Sequence, residues 1–133
     1  MSAAGEKGFR ASAIDDLPQI WDGWGKLVRS GLGISSFGVQ IMDYPAGHTT
    51  VAHSEDDTGQ EELYLALRGS GEVVIGDGEE RLTLDPEHLV CVEPGTERTL
   101  EAGPDGIRVL CVGGVPGEPY REPEWTEPDS EAE

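Results

Sequence analysis

Glu62-Leu63-Tyr64-Leu65-Ala66-Leu67-Arg68-Gly69-Ser70-Gly71 sets leucine at every second position and then runs into Gly69-Ser70-Gly71. Side chains of a strand point alternately to opposite faces, so Leu63, Leu65 and Leu67 share one face and Glu62, Tyr64 and Ala66 the other. The glycine pair reads as a turn. Downstream, Val73–Ile75 and Arg81–Leu84 flank Gly76-Asp77-Gly78, a hairpin signal. Asp85-Pro86-Glu87 turns the chain again before the short apolar run Leu89–Val92, which Pro94-Gly95 ends. Arg98–Ala102 and Ile107–Val112 then read as two further strands joined by Gly103-Pro104-Asp105-Gly106.

The region upstream has the same character. Asp56–Gly59 is a loop, His48–His53 is β-branched and extended, and Pro45-Ala46-Gly47 is a turn. Ile34–Tyr44 alternates Phe37, Val39 and Ile41. Only Asp15-Asp16-Leu17-Pro18 has helical character, as a single turn with an aspartate near its N-cap. The chain has 19 Gly and 9 Pro in 133 residues, which suits many short strands and few helices. The expected fold is all-β: one domain forming a closed antiparallel β-barrel or sandwich, of jelly-roll type. No internal repeat is present that would indicate a solenoid.

Charge narrows the partners. Against 27 acidic residues stand 9 basic ones, a net charge of −18. Nucleic-acid phosphates and anionic membrane surfaces are both repelled by such a chain. Residues 1–14 contain no apolar signal core, and no apolar run is long enough to span a bilayer, so a cytoplasmic location is expected. Cys91 and Cys111 each sit in an apolar run and read as small buried residues, not as a disulfide framework. Residues 118–133 hold seven acids, one base and three prolines, a composition too poor in apolar surface to order itself. Tyr120 and Trp125 are the residues of that tail suited to pinning it to the body.

The order of these elements resembles a cupin, and two motifs carry the resemblance. The first cupin motif reads Gly, five residues, His-x-His, a short spacer, Glu, six residues, Gly. Gly47 is followed after five residues by His53, and Glu62 after six by Gly69. The second motif ends in Pro-Gly-x-x-His, and here Pro94-Gly95-Thr96-Glu97-Arg98 stands in its place. The resemblance covers residues 34–113. It implies a cupin barrel, or double-stranded β-helix, over 34–117, an N-terminal extension over 1–33 packing on it, and a flexible acidic tail over 118–133. It also implies that a single-domain chain of this kind forms a homodimer, through the Phe37–Met42 strand or the Trp21–Trp24 segment.

In metal-binding cupins two histidines, a glutamate and a last histidine hold a divalent ion inside the barrel. By resemblance His53 matches the first histidine and Glu62 the glutamate. Glu55 stands where the second histidine would be, with six residues between it and Glu62, a longer spacing than usual. Arg98 takes the place of the last ligand. A guanidinium has five donors, no acceptor and a permanent positive charge, so it cannot coordinate a cation but pairs with carboxylates.

The preferred expectation is therefore a barrel in which Arg98 faces Glu55 and Glu62, replaces the metal charge, and helps anchor a small polar ligand. His53 and Tyr64 supply further hydrogen bonds, and no cofactor is required. His53, Glu55, Glu62, Tyr64 and Arg98 are the candidate ligand-binding residues. The alternative is a metal-dependent cupin enzyme, of oxygenase or isomerase type, in which His53, Glu55 and Glu62 hold a divalent transition metal, a legitimate hard or borderline ligand set. A third reading is a structural or sensory module without catalysis. The blandest reading of His53 and Glu55 is a solvated loop edge beside Ser54, Asp56 and Asp57. His48 is expected on the surface and His88 in an exposed turn, with Trp21 and Trp24 covering one mouth of the barrel. The residues assign no reaction.

Overall fold

Two long strands, β4 (Glu61–Ile75) and β7 (Arg98–Gly114), organise the chain, and the others pair against them. The computed structural model describes residues 7–121. In chain order the remaining elements are β1 (Gln19–Ile20), β2 (Gly25–Lys26), helix α1 (Val28–Leu32), β3 (Gly38–Tyr44), β5 (Glu80–Leu84) and β6 (Val90–Val92). All pairings are antiparallel, in the order β1-β2-β3-β7-β4-β5, with β6 on β4.

Gly69-Ser70-Gly71 is not a reversal. β4 runs straight through it, with register shifts between Ala66 and Arg68 and between Gly69 and Gly71. A Cβ on Gly69 would stand 2.2 Å from the Gly106 carbonyl oxygen, and one on Gly71 2.2 Å from that of Glu101. The glycines are there for the close approach of β7 where both strands bend, the usual reason for glycine inside a strand. Gly103–Gly106 likewise lies inside β7, so the two strands read on either side of it are one. Before the bend β4 lies between β6 and the second half of β7; after it, between β5 and the first half. The bent strands thus pass through two layers, a jelly-roll arrangement. Among the described residues the hydrogen-bonded ladder does not close into a ring.

The alternation in β4 is real, but the leucines point outward. Tyr64 and Ala66 join Val73, Leu84, Leu100 and Val109 in the buried core, whereas Leu63 and Leu67 are 38% and 39% exposed. The same inversion holds in β3. Ile41 packs outward against Leu17 and Val28, with Val39 beside them, so the N-terminal segment covers the outer face of the sheet. Within the Phe37–Met42 segment, read as a surface for a second copy, Ile41 is buried by its own chain, while Phe37 stays 42% exposed. Cys91 also differs from expectation: Val90 and Val92 point inward and Cys91 outward, and both cysteines are free thiols.

Local reading fails in two further places. Ile14–Asp16 forms a single 3-10 turn, but its N-cap is Ala13 with no side-chain cap; Asp15 instead pairs with Arg108. α1 has no hydrophobic period long enough to be read from sequence, and Gly33 ends it in the left-handed region at φ 71°. No helix among the described residues is long and apolar enough to cross a membrane.

One charge cluster ties the N-terminal segment down. Arg108 Nε and Nη2 donate to the two carboxylate oxygens of Asp43 at 2.7 and 2.9 Å, and Nη2 also reaches Asp15 at 3.1 Å. Lys26 Nζ lies 3.5 Å from Asp43 and donates to the Gly23 carbonyl. Burial alone would raise the Asp43 carboxyl, but the Arg108 guanidinium and the Lys26 ammonium outweigh it and hold the group below the usual carboxylate range. A carboxyl depressed in the folded state contributes stability that is fully present above its unfolded pKa of about 3.9 and is lost as pH falls through the lower folded value. Asp43→Asn is expected to cost about 1.5–3 kcal/mol at neutral pH, the range for hydrogen bonds to charged groups, and to flatten the acid limb of stability. Urea midpoints at pH 7 and pH 3.5 measure both, and an unchanged midpoint at pH 7 would contradict the clamp.

Candidate functional site

The inner face of β4 sets the site. Glu62 and Tyr64 are two residues apart, so both point inward, and the Tyr64 hydroxyl donates to Glu62 Oε1 at 2.7 Å. Arg98, the first residue of β7, enters from the opposite side. Its Nη2 donates to Glu62 Oε1 at 2.7 Å and its Nε to the Tyr64 hydroxyl at 3.2 Å. Its Nη1 donates to the Thr96 carbonyl at 2.8 Å, with the Glu93 carbonyl further off at 3.5 Å. Every nitrogen of the guanidinium is thus engaged by the protein, and Arg98 is 0% exposed.

The network rests on charge held away from water. Burial by itself would lower the Arg98 pKa, but the bonds to Tyr64 and Glu62 raise it, so the guanidinium stays charged. Burial pushes the Tyr64 phenol far above its ordinary value, and Glu62 adds to the effect, so Tyr64 is a donor and not a base. Burial also raises the Cys111 thiol, and the Glu62 charge adds to the effect. A buried thiol of that kind is a poor nucleophile.

The second half of the site comes from the segment between β3 and β4. His53 pairs with Arg98 through the backbone, His53 N to Arg98 O at 3.0 Å and Arg98 N to His53 O at 2.9 Å. This bridge brings the loop over the end of β7. His53 Nε2 lies 3.3 Å from Glu55 Oε2, and Glu55 Oε1 accepts from Thr58 Oγ1 at 2.8 Å. The hydrogen bond to Glu55 raises the His53 pKa despite partial burial, and the same bond lowers that of Glu55. His53 and Glu55 thus stand as a paired imidazole and carboxylate at the pocket edge.

These side chains border an open pocket of about 450 Å³. Glu62, Tyr64, Glu55 and His53 form its polar end; Met42, Tyr44, Leu100, Val51 and Trp21 form apolar walls. The volume lies within the range of small-molecule sites, which pair such walls with a few polar groups.

Sequence reasoning brought His53, Glu55, Glu62, Tyr64 and Arg98 to one place, and the structure gathers them. It corrects two roles. Arg98 pairs with Glu62 and not with Glu55, because Glu55 is taken by His53 and Thr58. Arg98 also lies behind Glu62 and Tyr64 with no exposed surface, so it cannot touch a ligand in the pocket.

Donor atoms of His53, Glu55 and Glu62 lie within 4.8 Å of one another, close enough for a cation. The set is incomplete as a four-ligand site, because a guanidinium occupies the fourth position and shares Glu62 Oε1 with Tyr64. His48 is not a bare surface residue: it stacks on Tyr44 at 4.9 Å and meets Trp24 edge-on at 4.9 Å. His88 is exposed as expected and pairs with Asp85 at 2.8 Å. Trp21 lines the pocket, while Trp24 belongs to a groove with Arg68 and Arg108. Tyr120 lies over Gly38, where a Cβ would come within 2.9 Å of its hydroxyl. Trp125 lies outside the described residues.

Gln40, Met42, Tyr44, Leu100 and Cys111 line the pocket but were not read from sequence. Their signal is the complement of the visible one. In β3 the apolar Val39 and Ile41 mark the outer face, so the pocket falls to the intervening Gln40, Met42 and Tyr44.

The sequence matches no family model and no curated protein. Solved structures do match in fold. A cupin protein from Bacteroides fragilis is similar over 93% of this chain and 94% of its own, at 22% identity and a TM-score of 0.65. An RmlC-like cupin protein from Desulfovibrio desulfuricans is similar over 59% of this chain and 72% of its own, at 22% identity and a TM-score of 0.50. KdgF from Halomonas sp. is similar over 68% and 74%, at 15% identity and a TM-score of 0.52. The chain has the cupin fold.

Removing one partner of a buried ion pair strands the other. Arg98→Met is expected to destabilise the fold by about 3–5 kcal/mol on that ground. The double variant Arg98→Met/Glu62→Gln is expected to be more stable than the single one, because no lone charge is left inside. Denaturation midpoints of the wild type, both single variants and the double variant form the test cycle. Additive effects would show that the pair is not coupled.

Proposed function

We propose that the chain binds a small ligand rich in hydrogen-bond donors in the pocket between β3, β4 and β7, and does so without a metal. The observation that supports this most is the engagement of Arg98. A permanent positive charge stands where the resemblance puts the last metal ligand, and it already neutralises Glu62. What the pocket then offers a visitor is mainly acceptors. Glu62 Oε2 is used by neither Tyr64 nor Arg98, the Glu55 carboxylate lies beside it, and His53 stands at the edge.

Such a surface selects hydroxyl or ammonium groups. It disfavours anions through the acceptor oxygens it presents and through the net charge of −18. The anionic ligand that an exposed Arg98 would have held is no part of this reading. His53 and Glu55 add a proton donor–acceptor pair beside the bound molecule, which suits proton transfer at a donor-bearing carbon or oxygen.

The proximity of three donor atoms within 4.8 Å favours one second reading, a divalent transition metal on His53, Glu55 and Glu62. A single series separates the two. Full-length protein purified without added metal and treated with chelator is melted in the presence of small amines, polyols and carboxylates. Amines and polyols are expected to raise the melting temperature and carboxylates are not, since a ligand that binds only the folded state stabilises it by mass action. Glu62→Gln, which removes the acceptor charge, is expected to abolish the shift. A stoichiometric transition metal retained through purification, and lost in His53→Ala, would overturn the metal-free reading in favour of the second.

A further inference from the structure

Arg68 and Arg108 stand directly opposite each other on β4 and β7, and Asp43 stands opposite Arg108 on β3. One row across three strands therefore reads Asp43, Arg108, Arg68. Directly opposite residues share a face, and like charges in that relation destabilise a sheet. The pairing comes from the register shift after Ala66, which leaves Leu67 with no residue opposite it. Without that extra residue Leu67 would stand opposite Arg108. Bulges of this kind re-aim a side chain, and they are over-represented next to functional sites.

The two arginines differ in what answers them. Arg108 is 9% exposed and is fixed by Asp43 and Asp15 through Nε and Nη2, which leaves Nη1 without an acceptor among the described residues. Arg68 is exposed, and its side chain makes no hydrogen bond or ion pair among the described residues. The chain has 27 acidic residues, and a glutamate at position 68 would stand opposite Arg108 as its counter-charge. A second cation there breaks the local rule, and such breaks gather at functional sites.

Both arginines border a groove of about 620 Å³ whose apolar wall includes Trp24, Tyr44, Pro45 and Ile107. Trp24 is 38% exposed. Of the groove residues only Tyr44 also borders the pocket of His53 and Glu62. Arg108 and Lys26 are answered by Asp43 and Asp15, so Arg68 is the one positive charge of the row left over. Asp105 borders the groove as well, exposed and without an ion pair to Arg68. Charges farther off than about 8 Å are largely screened at physiological ionic strength, so the net charge of the chain acts weakly on a group held against Arg68.

We propose that this groove is a second ligand site, which takes a small monocarboxylate with a flat apolar body. The carboxylate pairs with the Arg68 fork beside Arg108, and the body packs on Trp24 and its apolar neighbours. One surplus positive charge matches a monoanion, and the planar guanidinium matches a carboxylate in bidentate fashion. Carboxylates without a body, acetate among them, gain a single exposed pair and are not held. The site is independent of the donor-binding reading above.

Calorimetric titration of full-length protein with benzoate tests it, with acetate as the bodyless control and benzamide as the uncharged one. Benzoate is expected to bind roughly tenfold more tightly than either. Arg68→Gln is expected to erase the preference for benzoate over benzamide. Without ligand the same variant is expected to melt no lower than the wild type, because it relieves the like-charge pair. Asp105→Asn is expected to tighten benzoate binding, and Glu62→Gln to leave it unchanged.

Equal affinity for benzoate and benzamide, or a preference that survives Arg68→Gln, would overturn the site. Benzoate binding lost in Glu62→Gln would place the anion in the other pocket and overturn it too. A lowered melting temperature in Arg68→Gln would show that Arg68 serves the fold and not a ligand. None of these results bears on the donor-binding reading, which stands or falls on the amine and polyol shifts and their loss in Glu62→Gln.

Discussion

A guanidinium with no exposed surface is the constraint from which the site follows. Arg98 reaches Glu62 and Tyr64 from the far side of the sandwich, so one ionic contact joins the inner faces of β4 and β7. Both backbone bonds between His53 and Arg98 then bring the loop ahead of β4 to the same place. The pair carries a heavy desolvation cost, which only good geometry and complete hydrogen bonding offset. Here the geometry meets that demand: each guanidinium nitrogen has an acceptor, and Glu62 Oε1 takes two donors. A neutral pair of similar shape would give a comparable or firmer core. The ionic form is retained at the one position where it also decides what the pocket presents.

The second charged cluster does on the outside what Arg98 does within. Arg108, Asp43, Asp15 and Lys26 alternate in sign and join β7, β3 and the N-terminal segment. Exposed pairs contribute little, but a half-buried bidentate pair with a third and fourth partner is a network and contributes more. Asp43 also donates its backbone N–H to the loop that carries Trp21. The outer clamp and the pocket wall are therefore mechanically linked through one residue of β3.

The fold was legible where local pattern and topology agree. Alternation in Glu62–Arg68, the Gly76–Gly78 hairpin and the short β6 run all follow from the period of a strand and the needs of tight turns, and all are present. The inward and outward faces were not legible. Leu63 and Leu67 look like core residues, yet the inward-facing set is Glu62, Tyr64 and Ala66, because a buried guanidinium needs polar partners inside. The glycines were misread for a related reason. Gly69 and Gly71 resemble a reversal, but their lack of a side chain serves the contact with β7, which sequence separation hides. At the site, the resemblance to the cupin motifs pointed to His53, Glu55, Glu62 and Arg98 but not to their pairing. Glu55 is held by Thr58, a neighbour with no motif signal, and that contact turns Glu55 toward His53 and away from Arg98.

Recognition by this pocket must follow from what its charges have left free. In so acidic a chain the cations are scarce, and three of the buried ones are already bound: Arg98 by Glu62 within, and on the outer face Arg108 by Asp43 and Asp15 and Lys26 by Asp43 and the Gly23 carbonyl. No lining residue of the pocket is a lysine or an arginine. An anion entering it would lose water and meet two carboxylates, with only His53, already paired with Glu55, to offset them. A donor head loses water and gains carboxylate oxygens, and an apolar face gains Met42, Leu100 and the indole of Trp21. In the proposed reading, the same distribution of charge that stabilises the fold also selects against an anionic ligand, since a cation fixed in the core is one that no visitor can use.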